Sequence, residues 1–182
     1  MNNLNKTLHA ARFAAEKHTG HFRKGSRREP YINHPIEVAN MIANVGMIDD
    51  EDILSAALLH DTVEDCGVLP EEITEKFGET VAAYVMEVTD DKQLPKQERK
   101  QLQIEHAPHL TYGAKVIKLA DKISNVRDVI ASPAEDWDKQ RRVEYVQWAV
   151  NVVEGLRGAS DQLDELFDEV VALANEKLDE LD

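Results

Sequence analysis

Residues 56–65 read Ala-Ala-Leu-Leu-His-Asp-Thr-Val-Glu-Asp, an apolar run that ends in four ionisable side chains within six positions. If the run is helical, with roughly 100° of rotation per residue, positions 60, 61, 64 and 65 span about 140° of the helix surface and can face one cavity. Three carboxylates crowded beside an imidazole repel one another unless they share a cation or protons. The stretch therefore predicts a divalent metal site inside a helical protein.

The rest of the chain shows helical periodicity almost from end to end, with no alternating strand and no linker rich in Pro, Gly or Ser. We expect an all-α fold, a single-domain bundle of about 8–10 helices spanning residues 1–182. The predicted helices are 4–18, 34–45, 50–65, 70–76, 78–89, 95–106, 113–130, 138–157 and 160–180. The apolar stripe of the last helix can pack on the body of the protein or on a second subunit, so a homodimer stays open.

Composition narrows the classes of partner. The net charge of −14 disfavours binding along a nucleic-acid backbone, which requires a broad basic face. The single cysteine, Cys66, excludes an intramolecular disulfide and favours a reducing compartment. Residues 1–20 contain no signal-peptide core, and no later run is long and apolar enough to span a membrane. We expect a cytoplasmic protein that binds neither nucleic acid nor membrane.

The charge is uneven along the chain. Between Lys17 and Arg28 there are five cations and no anion, namely Lys17, Arg23, Lys24, Arg27 and Arg28. A compact basic segment on an acidic protein suits a small anionic ligand. A solvated loop is the plainer interpretation of the same segment.

Two further segments place polar residues within apolar helical sequence. Asp121 and Asn125 lie one turn apart in residues 116–125, and His34 begins a predicted helix beside the basic segment. Each has an ordinary explanation, because His34 can cap its helix and Asp121 can pair with a neighbouring lysine. Together with residues 60 and 61 they give the order His, His-Asp, Asp.

That order resembles the HD phosphohydrolase superfamily, and longer segments resemble the hydrolase domain of RelA/SpoT proteins. The similar segments, within residues 8–165, are Arg23-Lys24, 30–35, 57–65, 88–92 and 118–122. Residues 94–100 and 144–149 look most like the small stand-alone hydrolases related to metazoan SpoT homologues. The resemblance implies an HD-type helical domain that hydrolyses the alarmone (p)ppGpp of the stringent response at its 3′ position. The products would be GDP or GTP and pyrophosphate, and no synthetase activity is expected.

The resemblance also implies roles for individual residues. The implied metal ligands are His34, His60, Asp61 and Asp121, holding Mn²⁺, with Fe²⁺ or Zn²⁺ also compatible with the donor set. The implied catalytic acids are Glu64 and Asp65, which can orient or deprotonate the attacking water. The implied contacts to the guanosine nucleotide are Arg23, Lys24, Asn125, Arg141 and Tyr145. The loop from Arg23 to Tyr31 is longer than in many bifunctional relatives, so the contacts of residues 25–28 stay open.

Two alternatives remain at this point. One is an HD hydrolase that acts on another phosphorylated nucleotide, and the other is a non-catalytic helical module that binds a nucleotide or a protein. Outside the predicted site, His18 and His21 flank a glycine near a helix end, where imidazoles can meet the last carbonyls. Cys66 is interpreted as an ordinary thiol.

Overall fold

The structure is a computed structural model that describes residues 3–181, and the side chains from residue 5 onward. Ten α-helices and no strand form in this part of the chain, which confirms the all-α prediction. The helices are α1 Asn3–Lys17, α2 Asn33–Asn44, α3 Glu51–Leu59, α4 Thr62–Cys66, α5 Pro70–Phe77, α6 Glu79–Val88, α7 Lys96–His106, α8 Tyr112–Ala131, α9 Lys139–Glu154 and α10 Asp161–Asp179. From residue 3 to 181, none of these helices combines the length and the apolarity that crossing a bilayer demands.

Helix α8 is the centre of the bundle and packs against α2, α3, α6, α9 and α10. Apolar side chains are fully buried around most of its circumference, including Ile117, Leu119, Ile123 and Val126. A helix that is apolar on nearly every side must lie in the core. Four of its polar side chains, Lys118, Asp121, Lys122 and Asn125, form one wall of the candidate site.

The apolar stripe of α10 packs on the body of the same chain. Leu163, Phe167 and Leu178 are buried, and α10 lies against α8 and α9. Ser160 accepts a hydrogen bond from the Leu163 amide and caps the helix at its start. The stripe is thus used within the subunit, and a homodimer stays a prediction.

The prediction of one continuous helix over 50–65 is wrong, because the helix breaks between α3 and α4. The carbonyl of Ala57 accepts a hydrogen bond from the His60 ring at 2.7 Å, and that of Leu59 accepts one from the Thr62 hydroxyl at 2.7 Å. Side chains thereby replace the backbone N–H groups that a continued helix would offer these carbonyls. Asp61 has φ −96° and ψ −3°, and α4 begins after it. The projection at 100° per residue therefore does not apply across His60 and Asp61.

The loop between α1 and α2 is anchored against the segment that follows α8. Phe22 pairs with Pro30 and Gly25 pairs with Ala134 in isolated β-bridges. A Cβ atom at Gly25 would lie 2.1 Å from the Ser132 carbonyl oxygen, so only glycine permits this approach. The anchored loop carries Arg23 and Tyr31 to the edge of the candidate site.

Candidate active site

His34 lies in the first turn of α2 and is only 3% exposed. Its Nδ1 lies 3.0 Å from the Ser124 hydroxyl oxygen, and that hydroxyl donates to Glu37 Oε2 at 2.7 Å. Since the hydroxyl proton is committed to Glu37, Ser124 accepts from His34 Nδ1–H. This assigns the tautomer in which Nε2 carries a free lone pair, as metal-binding histidines require.

A different partner assigns the same tautomer to His60. Its Nδ1 donates to the Ala57 carbonyl at 2.7 Å, which leaves Nε2 free. That Nε2 is fully buried, and among the described residues it finds no hydrogen-bond partner of acceptable geometry. Burial lowers the pKa of His60, but the nearby carboxylates of Asp61 and Asp121 outweigh burial and raise the pKa to about 9. The surroundings of Nε2 therefore favour a positive charge.

Asp61 and Asp121 complete a compact group with the two imidazoles. Asp61 Oδ2 lies 3.0 Å from His60 Nε2 and 3.7 Å from His34 Nε2. Asp121 Oδ1 lies 3.1 Å from His34 Nε2 and 3.8 Å from His60 Nε2. Burial opposes ionisation of both acids, yet the imidazoles, and Lys122 beside Asp121, hold both pKa values below the usual range. Both groups are thus carboxylates in the folded protein.

The four side chains fit a divalent metal ion. Ligand atoms about 2.0–2.2 Å from an ion lie about 3.0–3.5 Å from each other on its coordination shell, and the spacings above fall near that range. His34, His60 and Asp121 each offer a ligand atom within 4.8 Å of the others. The unbonded Nε2 of His60 is the particular atom that a cation would satisfy.

Glu64 and Asp65, the predicted acidic pair, occupy different positions. Glu64 lines the cavity beside the four side chains and accepts from the Asp90 amide at 3.1 Å. Burial raises the pKa of Glu64, with the charges of nearby acids in support. Asp65 lies outside the cavity wall and pairs with Lys92. Glu64 is consequently the acid that faces the candidate metal position directly.

Two lysines of α8 bring positive charge into the cavity wall. Lys118 and Lys122 are 7% and 3% exposed. Lys122 Nζ lies 2.9 Å from Asp121 Oδ2 and 4.8 Å from the centroid of the Trp148 ring. Lys118 Nζ donates to the Val88 carbonyl at 3.1 Å, and burial lowers its pKa. Buried cations beside a metal position favour an anionic ligand such as a phosphate group.

Arg23 and Asn125, two of the predicted substrate contacts, also line the cavity. Arg23 donates to Asp128 Oδ2 at 2.9 Å and to Asn125 Oδ1 at 2.8 Å, and its guanidinium lies over the Tyr31 ring. Asn125 in turn donates to Asp121 Oδ1 at 2.6 Å. The guanidinium is thereby connected to the metal position through one amide side chain.

The cavity has a volume of about 140 Å³. Pockets for small ligands usually measure about 300–1,000 Å³. This space accommodates an ion with water and a phosphate group, while a nucleoside would have to lie beyond its mouth.

The other predicted substrate contacts lie outside the cavity wall. Lys24 is exposed, and Arg141 pairs with Asp136 at 2.9 Å on the surface. Tyr145 packs between Trp137 and Trp148, with ring centroids 5.3 and 5.2 Å away, and burial raises its pKa to about 12. Their contact with a nucleotide stays a prediction.

Several residues that shape the site were not singled out from the sequence. Tyr31 donates to Asp61 Oδ2 at 2.8 Å, Lys92 pairs with Asp65, and Ser124 with Glu37 orients His34. Tyr31 and Lys92 fall within the segments that resemble RelA/SpoT hydrolases, so that resemblance was the available signal. Ser124 gave no signal beyond its place one helical turn after Ala120 in an apolar helix.

A quartet of two buried histidines and two partly buried aspartates in an all-helical bundle defines the HD class. The chain belongs to the HD domain family, whose profile matches residues 10–165. Among curated relatives, the chain is 53% identical over 161 residues to the guanosine-3′,5′-bis(diphosphate) 3′-pyrophosphohydrolase MESH1 of Xenopus tropicalis, covering 88% of this chain and 90% of that one. The human protein of the same name is 51% identical over 158 residues, covering 87% and 88%.

A bacterial relative and a solved structure extend these similarities. The guanosine-3′,5′-bis(diphosphate) 3′-pyrophosphohydrolase of Vibrio cholerae is 37% identical over 136 residues, which cover 71% of this chain and 18% of that longer protein. A solved structure described as a metazoan ortholog of SpoT that hydrolyzes ppGpp superposes with a TM-score of 0.89 at 43% identity, covering 92% of this chain and 94% of that one. The predicted similarity to metazoan SpoT homologues is confirmed.

Proposed function

We propose that this protein is a metal-dependent guanosine-3′,5′-bis(diphosphate) 3′-pyrophosphohydrolase, which converts (p)ppGpp to GDP or GTP and pyrophosphate. The observation that carries the proposal is that the His/Asp quartet, the acid Glu64 and two buried lysines line one cavity. The names of the relatives, which share about half of their residues with this chain, support the substrate.

His34, His60, Asp61 and Asp121 would hold the ion. Two imidazoles and two carboxylates form a mixed N/O set that suits Mn²⁺, with Fe²⁺ or Zn²⁺ also compatible. When bound, such an ion polarises a phosphoryl oxygen and makes a water more acidic. The protein fixes the orientation of both imidazoles, through Ser124 for one and the Ala57 carbonyl for the other.

In this proposal Glu64, which lines the cavity, takes the proton of the attacking water. The water oxygen bonds to the phosphorus attached to the ribose 3′ oxygen, the bond between that phosphorus and the 3′ oxygen breaks, and pyrophosphate separates from the nucleoside. One proton passes from the water to Glu64, and Glu64 then gives a proton to the departing 3′ oxygen, which becomes a hydroxyl. The raised pKa of Glu64 brings it closer to the range in which a carboxylate exchanges protons readily.

The cations of the wall offset the charge of the diphosphate. Lys118 and Lys122 lie in the cavity and Arg23 lies at its edge. In a buried setting these charges act more strongly on a phosphate than they would in water. The nucleoside would extend past the cavity mouth. The exposed Lys24 belongs to the same loop as Arg23, which lines the cavity.

The test is the release of GDP and pyrophosphate from guanosine tetraphosphate by purified protein, with Mn²⁺ and with a chelator. We expect turnover only with metal. Glu64→Gln should reduce kcat by about 100- to 10,000-fold, the usual range for loss of an acid–base group. Asp65→Asn, at an acid that pairs with Lys92 outside the cavity wall, should reduce kcat less. Glu75→Gln is the matched control, since Glu75 is an exposed acid on α5, and it should retain wild-type activity.

The alternatives give different results in the same assay. Release of phosphate or pyrophosphate from other nucleotides, with guanosine tetraphosphate inert, would point to an HD hydrolase of another specificity. Binding of the tetraphosphate without turnover under Mn²⁺, Fe²⁺ or Zn²⁺ would favour a non-catalytic module. A cytoplasmic location, a homodimer and the lack of nucleic-acid binding stay predictions of the sequence.

A further inference from the structure

A second group of metal-binding side chains lies beside the candidate active site. It consists of His18, His21 and Cys66, each of which offers a ligand atom within 4.8 Å of the others. Cys66 Sγ lies 3.3 Å from His18 Nδ1 and 3.9 Å from His21 Nδ1. The prediction that the two imidazoles meet the last carbonyls of a helix does not describe His18, whose ring contacts the thiol.

Two tight turns hold these three side chains together. His18 follows α1 directly, and the His21 amide donates back to the His18 carbonyl at 2.9 Å across Gly20, which has φ +80°. Cys66 is the last residue of α4, which ends at Gly67 in the left-handed conformation. The turn keeps the two imidazoles adjacent, and the packing of α4 against α1 brings Cys66, 48 positions away, to them.

The hydrogen bonding of His18 is weak for a buried residue. The side chain is 3% exposed. Within residues 3–181 its hydrogen-bonding partner is the sulfur of Cys66. This bond is weak because a thiol is only a weak donor and acceptor. Burial lowers the pKa of His18, which keeps the imidazole in the neutral form that binds metals.

The donor set selects among ions. Burial raises the pKa of the Cys66 thiol to about 11, with Asp65 and Asp61 adding to the effect. An ion that binds here must displace the thiol proton, and only ions with high affinity for thiolate do so well. Zn²⁺ accepts one sulfur and two nitrogens in a tetrahedral shell with one position left for water, whereas Mn²⁺ prefers oxygen donors.

We propose that His18, His21 and Cys66 form a second metal site, selective for Zn²⁺ over Mn²⁺ and separate from the His/Asp quartet. The site adjoins the first one through a single residue. The His18 ring stacks on the Tyr31 ring with centroids 4.7 Å apart, and the Tyr31 hydroxyl donates to Asp61. This inference does not rest on the proposed hydrolase activity.

Co²⁺ is a suitable probe because a thiolate bound to it gives a sulfur-to-cobalt charge-transfer absorption, which imidazole and carboxylate ligands do not. The chain has one cysteine, so the absorption reports on this site alone. Metal-free protein titrated with Co²⁺ should develop the band to saturation at one ion of this type per chain. Zn²⁺ should abolish the band on competition, and Mn²⁺ at the same concentration should not.

Variants separate a built site from a lone reactive thiol. Cys66→Ser should remove the band, and His21→Gln, at an exposed position, should weaken Co²⁺ binding by more than about tenfold, since even outer-shell changes cost that much. His106→Gln, another exposed histidine, is the matched control and should change nothing. Asp121→Asn should keep the band while it impairs the first site. Absence of the band, or a band unaffected by both His18→Gln and His21→Gln, would overturn the proposal.

Discussion

Replacing Ser124 by alanine tests whether the hydrogen-bond chain behind His34 prepares the metal site. Ser124 is fully buried and accepts from His34 Nδ1 at 3.0 Å while it donates to Glu37. Without the hydroxyl, the ring loses the contact that fixes its tautomer and rotation. The substitution removes the two hydrogen bonds of the hydroxyl, to His34 and to Glu37, and leaves all four metal ligands in place, so any loss of metal affinity comes from the lost support of His34.

The expected effects of Ser124→Ala on metal affinity and on stability are estimated from two separate costs. Loss of an outer-shell partner typically weakens metal binding by about 10- to 100-fold, or about 1.4–2.8 kcal/mol. In the metal-free protein, the buried Nδ1–H left without a partner costs about 1–3 kcal/mol. Alanine regains about 0.5 kcal/mol through its higher helix propensity in α8. The free energy of unfolding should therefore fall by about 0.5–2.5 kcal/mol.

The assay is a Mn²⁺ titration of wild type and variant followed by activity, together with urea unfolding in chelator. Activity of the variant should recover at saturating Mn²⁺, because all four ligands remain. Ser55→Ala is the matched control, because Ser55 is equally buried in α3 but its hydroxyl has no hydrogen-bond partner in the part of the chain that the structure describes. The change should cost little in either measurement. Wild-type Mn²⁺ affinity in Ser124→Ala, or an equal loss in Ser55→Ala, would refute the reasoning.

Two further predictions concern the cavity edge and its charge. Arg23→Gln should raise KM for guanosine tetraphosphate by about tenfold or more in steady-state kinetics, since it removes charge-assisted hydrogen bonds worth about 1.5–3 kcal/mol. The control Arg27→Gln, at an exposed side chain, should keep a KM near that of the wild type. The second prediction concerns the pKa of His60, which is raised to about 9 from an ordinary 6.5. In chelator, the protonated imidazole therefore contributes its full stabilisation of the folded state below pH 6.5, and this stabilisation is lost as the pH rises through 9. Urea unfolding should record a loss of up to about 3 kcal/mol across this window, and His60→Gln should flatten it; a wild-type stability that rises with pH there would contradict the assignment.

The sequence was sufficient to predict the fold class, and it singled out four residues whose side chains lie together in the structure, while their role as metal ligands stays a prediction. Polar residues within apolar helical sequence are costly unless they serve a site, which is why His34 and Asp121 stood out beside His60 and Asp61. The helix bounds followed from periodicity to within a few residues except at one place. There, the side chains of His60 and Thr62 took carbonyls that periodicity assigns to the backbone.

Sequence patterns did not predict the contacts that orient the site residues, because these contacts join residues far apart in the chain. Asp65 was expected to face the cavity with Glu64, but Lys92, 27 positions later, holds it at the surface. Glu37 reaches Ser124 across 87 positions. Such pairings depend on how helices pack, which periodicity within one helix does not specify.

A metal ion bound by the quartet would also change how these distant segments open locally. The quartet draws its side chains from α2, the break between α3 and α4, and α8, and 90 positions separate His34 from its partner Ser124. An ion held by all of them acts as a cross-link between segments that meet only in the folded chain. Since bound ligand stabilises only the states that bind it, amide hydrogens in these three segments should exchange as one cooperative unit in the metal-loaded protein and more independently after chelation.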